Sequence, residues 1–258
     1  MKGLLLPELL ELRRPKGIYE KSDAASRRRE GLDTEDRVLH GDIPGRVEIE
    51  ERGARFLVNL REGQKTGFFL DQRRNRRITS SHVQTGFSVL DVFAHTGAFA
   101  IHAALRGAAR VRLVDVSREA LALARENMAL NGVTGDAVRA DAFDFLAEAP
   151  GMKDRYDLVI LDPPAFARTK RNTAGARKGM RHLIAQSLRV LKPEGLLAVF
   201  SCSHHVSQED LRLALLEAAA DRGCRLEVLE HLFQDRDHPQ VLNVPMSLYL
   251  KGFLVRSL

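Results

Sequence analysis

Ser88-Val89-Leu90-Asp91-Val92-Phe93-Ala94-His95-Thr96-Gly97-Ala98-Phe99 carries the signature of the fold. An apolar run of strand length closes on an aspartate, passes through a turn with one glycine and opens into a helical pattern. From Phe87 onward the same alternation recurs, with apolar runs of strand length separated by amphipathic segments. That is the pattern of a parallel sheet covered by helices on both faces. Strands are predicted at about 87–92, 110–115, 136–140, 156–161, 195–200, 225–231 and 248–255, with helices between them that include Arg118 to Asn131 and Gln208 to Arg222. Seven such strands make a Rossmann-like α/β sheet. Leu226 to Leu232 and Leu248 to Val255 are joined through a Pro-containing loop with no helix, so the sheet is expected to end in an antiparallel strand.

Upstream, a polar helical start is followed by short alternating runs. Gly45 to Glu50 and Ala54 to Leu60 flank a turn at Gly53 and predict paired strands. The expected division is a small β-rich subdomain over 1–77 and an α/β domain over 78–258. With 258 residues, 44% of them hydrophobic, the chain can bury a proper core. No run approaches the roughly 18 uninterrupted apolar residues of a membrane helix, and Met1-Lys2-Gly3-Leu4-Leu5-Leu6-Pro7 is charged too soon for a secretory leader. A cytoplasmic protein without membrane attachment is expected. Cys202 and Cys224 are too few for a disulfide framework and lack metal-ligand spacing, so neither a disulfide nor a metal is expected. A net charge of +6 and a pI near 9.6 favour polyanions through counterion release, although many basic proteins bind no nucleic acid.

In an open parallel sheet a ligand sits beyond the carboxyl ends of the strands. Asp91, Asp115, Asp141 and Asp162 stand at or just after four of those ends. One such aspartate is most simply a cap on the following helix, but four in succession suggest a cofactor cradle. The turn holding Phe93, Thr96 and Gly97 leads into a helix whose free amides favour an anionic group. It lacks the G-x-G-x-x-G pattern that lets a pyrophosphate approach the backbone. S-adenosylmethionine, which brings a carboxylate and no phosphate, suits it better. Asp115 is then the acceptor for the ribose hydroxyls, and Asp141-Ala142 meets the adenine edge. Those two roles alone would also suit NAD.

Five segments together allow a family to be named: KTGFFLDQRRNR (65–76), LDVFAHTGAFAIHAA (90–104), LDPPAF (161–166), FSCS (200–203), and DHP (237–239) with YLKGF (249–253). In order and spacing they resemble the ribosomal RNA large-subunit 5-methylcytosine methyltransferases, and the similarity runs from about Gly17 to the end. The resemblance implies a seven-stranded class I methyltransferase domain behind a small β-rich domain, S-adenosyl-L-methionine as cofactor and 23S-type rRNA as partner. Members usually begin with an RNA-binding PUA domain, for which this chain is too short.

Asp162-Pro163-Pro164-Ala165-Phe166 leaves the fourth predicted strand as a loop stiffened by two prolines. In enzymes that methylate exocyclic base amines an aromatic residue follows the second proline directly, whereas here Ala165 intervenes; that reading ranks second. Cys202 closes the fifth strand. Carbon 5 of a pyrimidine is a poor nucleophile, so its methylation calls for a thiolate that adds to the neighbouring ring carbon and is later eliminated. A lone cysteine at a strand end is ordinarily structural. The Ser-Cys-Ser context behind D-P-P at the family spacing makes Cys202 the nucleophile, while Asp162 either orients the base or assists proton removal. A single cysteine also serves 5-methyluridine enzymes, and only the resemblance favours cytosine. Cys224 is read as structural.

Residues 168–181 carry six basic side chains and no acidic one, and Arg168, Lys170, Arg171, Arg177 and Lys178 are candidates for RNA phosphates. Arg27 to Arg29 and Arg73 to Arg77 form two further basic clusters. Phe68, Phe69 and Phe166 are candidates to flank an unstacked base, or else ordinary core residues. His204 and His205 point to opposite sides of an extended segment and lack a third ligand, and the role of His238 is open. Two other classes compete: an NAD-type oxidoreductase, disfavoured by the single-glycine turn, and a basic RNA-binding module without catalysis, disfavoured by Cys202 and Asp162.

Overall fold

A computed structural model describes residues 2–22, 27–28, 30–32, 34–63, 66–148, 151, 154–166 and 173–258. The chain forms two compact units, one of residues 1–49 and 57–68 and one of residues 50–56 and 69–258. In the smaller unit, helix α1 (Lys2–Arg13) precedes strand β1 (Gly17–Glu20), which pairs antiparallel with β2 (Arg37–Gly41). Strands β3 (Arg46–Glu51) and β4 (Ala54–Asn59) form a separate two-stranded sheet. Arg52 and Gly53, at φ 53° and 82°, make the tight turn between them, a backbone state that suits the twist of a two-residue hairpin. This tip belongs to the larger unit, as does the segment 69–77, which the expected division assigns to the N-terminal subdomain.

The larger unit starts with helix α2 (Arg73–Ser81) and continues as β5 (Ser88–Val92), α3 (Ala98–Leu105), β6 (Arg110–Asp115), α4 (Arg118–Leu130), β7 (Asp136–Arg139) and α5 (Ala142–Glu148). It is completed by β8 (Tyr156–Leu161), α6 (Thr173–Val190), β9 (Leu191–Ser201), α7 (Gln208–Arg222), β10 (Leu226–Phe233) and β11 (Lys251–Ser257). These seven strands make one sheet in the order β10-β11-β9-β8-β5-β6-β7. The pairs from β9 to β7 are parallel, and β11 runs antiparallel to both its neighbours. The seven-stranded Rossmann-like sheet expected from the apolar runs is the one observed. Its central strands are buried on both faces, with Val89, Leu90, Leu158, Val159 and Leu161 fully enclosed, as crossover helices require.

The antiparallel strand, however, lies inside the sheet and not at its edge. Five consecutive buried residues, Lys251 to Val255, need neighbours on both sides, whereas β10 alternates irregularly with exposed Glu227 and Val228 and can tolerate an edge. Gly252 sits opposite Phe200, and a Cβ there would come within 2.6 Å of the Phe200 ring. The glycine of YLKGF is thus a packing requirement. Helix α7 is closed at its start by a capping box between Ser207 and Asp210 and at its end by Gly223 at φ 64°.

Candidate active site

All the strand-end aspartates lie at the carboxyl edge of the sheet, but they do different work. Asp91 is buried, and its Oδ2 accepts the Ala100 amide at 3.1 Å. Burial pushes its carboxyl up to about 8, with the charges of Asp162 and Asp115 adding to the effect. Asp115 accepts the His95 amide on Oδ2 and the Ser117 amide on Oδ1, both at 2.8 Å. Asp141 accepts the Phe143 amide at 2.8 Å and the Asp144 amide at 3.4 Å, the geometry of a cap on α5, and Ala142 behind it is buried. Asp162 hangs from the end of β8, its amide donating to the Val92 carbonyl at 3.4 Å.

Between Asp91 and α3 the backbone is strained. Phe93 and His95 hold φ at 64° and 49°, and Gly97 follows at 82°. A non-glycine residue in that region costs on the order of 1–3 kcal/mol, and such strain clusters at functional sites. The turn is pinned by the Phe93 and Ala94 amides on the Val114 carbonyl, at 2.9 and 3.1 Å. Thr96 is buried, and its carbonyl accepts Asn127 Nδ2 at 3.2 Å. Gly97 answers to packing as well as to φ, because a Cβ would lie 2.9 Å from Leu113 Cδ2. The charges of Asp115 and Asp162, beside the buried carboxyl of Asp91, make this edge hospitable to a cationic ligand and hostile to a pyrophosphate. A ligand carrying a sulfonium and an ammonium group fits.

Cys202 leaves the end of β9, half-buried, with its Sγ 3.9 Å from the carbonyl oxygen of Pro163. Adjacent parallel strands β8 and β9 thereby bring the thiol and the D-P-P loop together. Lys251, opposite Ser201 on β11, is 3% exposed and donates from Nζ to the Ser203 carbonyl at 2.7 Å. Burial lowers its pKa, while Cys202 and Asp210 pull it back up. The Tyr249 hydroxyl donates to Asp71 Oδ2 at 2.9 Å, and burial together with Asp71 pushes that phenol up. The His204 ring lies 5.8 Å from the Tyr249 ring, and the His205 amide donates to Ser203 Oγ at 3.3 Å. Among the described residues no group of three or more His, Cys, Asp or Glu side chains converges as a metal would require.

Lys251, Tyr249 and Asp71 were not singled out by sequence reasoning, although all three lie in the quoted segments. The segments close on one another through Arg73, whose Nε donates to Asp235 at 2.8 Å and whose Nη2 pairs with Asp237. His238 Nδ1 lies 2.9 Å from Asp237 and its ring meets Tyr249 edge-on. Its part is thus to join the D-H-P turn to Tyr249. Cys224, at the junction of α7 and β10, packs against the main core.

The profile of the S-adenosylmethionine-dependent methyltransferases matches residues 25–256. The chain belongs to that family. S-adenosylmethionine is therefore the cofactor of this methyltransferase, in accord with the acidic edge. Ribosomal RNA large subunit methyltransferase I of Aeromonas salmonicida is 40% identical over 244 residues, 93% of this chain and 61% of that protein. Its namesake in Shewanella amazonensis is 41% identical over 243 residues, with the same coverage of 93% and 61%. The chain spans about three fifths of the length of these relatives. A crystal structure described as a methyltransferase complexed with SAH superposes with a TM-score of 0.85 at 26% identity, covering 99% of this chain and 65% of that one.

The residues expected to meet RNA are less gathered. Arg168, Lys170 and Arg171 lie outside the described residues. Arg177 and Lys178 are exposed, yet they stand on α6 and not in a loop. From Thr173 the chain is helical because Ala176, Met180, Leu183, Ile184 and Leu188 bury one face at helical spacing. The absence of acid in this run is local, because α7 supplies it: Arg181 pairs with Asp221 at 2.7 Å, and Arg177 lies 3.9 Å from Glu217. Phe166 packs half-buried beside Phe143, with ring centroids 6.0 Å apart. Phe69 meets the His95 ring edge-on at 5.1 Å, and Phe68 is buried within the smaller unit.

Proposed function

We propose that this methyltransferase forms 5-methylcytosine in RNA of the large ribosomal subunit, a 23S-type rRNA, with Cys202 as the covalent nucleophile. The observation that carries the reading is the half-buried Cys202 thiol against the Pro163 carbonyl of the D-P-P loop, at the carboxyl edge where the cofactor-fitting carboxylates gather. The names of the curated relatives support rRNA as the partner. The reducing cytoplasm would keep the thiol free.

S-adenosylmethionine supplies an electrophilic methyl group on a sulfonium. Asp115 holds the ribose hydroxyls, Asp141 and Ala142 border the adenine, and Asp91 with Phe93, Thr96 and Gly97 shapes the cradle beneath the amino-acid end. The Cys202 thiolate adds to carbon 6 of the cytosine, which raises electron density at carbon 5 until that carbon takes the methyl group. Passage of the carbon 5 proton to Asp162 or to water then expels the thiolate and restores aromaticity, with SAH left as the demethylated cofactor. The positive Lys251 ammonium, fixed on the Ser203 carbonyl, favours the thiolate over the thiol. Phe166 and the basic residues Arg168, Lys170, Arg171, Arg177 and Lys178 contact the RNA around the target base.

A fluorine at carbon 5 cannot leave as a proton does, so RNA containing 5-fluorocytidine should trap the enzyme as an adduct stable to denaturing electrophoresis. Cys202→Ala should give neither adduct nor methyl transfer, and Cys224→Ala should retain both. An adduct with 5-fluorouridine alone would move the target to uracil. Comparable methylation by Cys202→Ala would exclude the addition mechanism and turn attention to an exocyclic amine beside Asp162.

A further inference from the structure

Four arginines from three separate segments surround a cavity of about 290 Å³: Arg52 at the β3–β4 turn, Arg74 and Arg77 on α2, and Arg236 beyond β10, with Gln234 and Asp235 completing the wall. Arg74 and Arg77, three residues apart, share one helix face. Among the described residues none of the four guanidinium groups makes a hydrogen bond or an ion pair. The neighbouring arginines of the same run differ. Arg73 is spent on Asp235 and Asp237, and Arg76 is buried against Glu51. Asp235, the one carboxylate of the wall, is already held by Arg73. Four like charges around one cavity, with Asp235 offsetting only part of the charge of Arg236, repel one another in the free chain. Such an arrangement is relieved by an anion rich in acceptor oxygens, and the planar guanidinium fork matches phosphate geometry.

We infer that this cavity anchors a phosphodiester of the RNA strand that carries the target base. The inference rests on the RNA reading above and adds to it a defined surface. Its distance from the chemistry is short in contacts. The Asp235 amide donates to the Asp71 carbonyl at 2.9 Å, the Asp71 carboxylate accepts the Tyr249 hydroxyl, and Lys251, two residues beyond Tyr249, pairs with Ser201 and donates to the Ser203 carbonyl on either side of Cys202. A strand whose phosphate rests among the arginines is therefore tethered to the frame that faces the thiol. Three of the four arginines are exposed, and the fourth, Arg74, is half-buried, which leaves room for a polymer to pass.

The test uses a fluorescently labelled, cytosine-containing single-stranded RNA of about 20 nucleotides, titrated by anisotropy from 50 to 300 mM KCl. The full chain should bind with a steep salt dependence. Arg74→Gln/Arg77→Gln should bind at least tenfold more weakly at low salt, with the logarithmic slope reduced by roughly 0.7 for each lost contact. Arg52→Gln/Arg236→Gln, in a turn and a loop, should do the same without touching a helix. Calorimetric affinity for SAH should be unchanged in both, which separates lost contacts from misfolding. Unchanged RNA affinity and slope in both pairs would overturn the anchor and leave the RNA reading standing. No salt-dependent binding by the unaltered chain would remove the RNA reading and the anchor with it. Loss of the 5-fluorocytidine adduct chemistry alone would leave the anchor intact, because anisotropy does not read Cys202.

Discussion

Asp91 shows how much one buried carboxyl can bias the molecule. Burial, seconded by Asp162 and Asp115, holds its pKa at about 8, against an ordinary value of 3.8. A carboxyl raised in this way keeps its proton in the folded chain after the unfolded chain has lost it. Its contribution to stability is therefore complete below 3.8 and drains away as pH rises toward 8. Asp91→Asn, nearly the same shape and uncharged throughout, should flatten that decline. Denaturation midpoints at pH 5 and pH 8 measure it, and an undiminished decline in the variant would assign the effect elsewhere. The cofactor's cationic end should reverse the bias locally. Binding near neutral pH is then expected to release protons, which calorimetry in two buffers of different ionisation enthalpy would detect.

Three elements of the larger unit meet at one ion cluster. Glu51 at the end of β3 receives Arg76 of α2 through Nε and Nη2, both at 2.7 Å, and lies 3.0 Å from His102 Nε2 of α3. Glu51 and Arg76 are 5% and 2% exposed, so neither can turn to water if its partner goes. Burial opposes the Glu51 charge, yet the hydrogen bonds from Arg76 and His102 prevail and hold the carboxyl at about 2. Its share of stability is thus present above about 4.5 and lost as pH falls through 2. Glu51→Gln strands the Arg76 charge and should cost about 3–5 kcal/mol, read as a lower urea midpoint. Replacing both partners, as in Glu51→Leu/Arg76→Met, should cost less than the single change. A double variant no more stable than Glu51→Gln would mean that packing, not the stranded charge, sets the penalty.

At the scale of the whole chain, a cofactor that binds only the folded state must raise its melting temperature. At a hundredfold excess over Kd the gain is about 2.7 kcal/mol, which for a chain of this size corresponds to roughly 5–10 °C. S-adenosylmethionine or SAH should produce that shift in thermal scans, in Cys202→Ala as well as in the unaltered chain. NAD should produce none, since its pyrophosphate meets the acidic edge. An equal shift with NAD would contradict the fit between cationic ligand and carboxylates. The chain spans about three fifths of the length of its curated relatives, and these measurements report on its own cofactor site.

Burial along a strand repeats locally, which is why the apolar runs alone located all seven strands of the sheet and aligned Asp91, Asp115 and Asp162 at its carboxyl edge. Sequence put Cys202 and the D-P-P loop at the ends of two strands, and it is the parallel pairing of β8 with β9 that brings the thiol to Pro163. Charge is not local in the same way. Whether Asp141 caps a helix, faces a ligand or does both depends on where α5 begins, and there its Oδ1 accepts the Phe143 amide. Arg73 to Arg77 look alike in a row, but Glu51 lies 25 residues before Arg76, and Asp235 lies 162 residues beyond Arg73. Arg181 finds Asp221 across 40 residues. An arginine run states only how much charge is present. Which of its members are neutralised, and which remain for an anion, is decided by partners that only the packed chain brings within hydrogen-bonding distance.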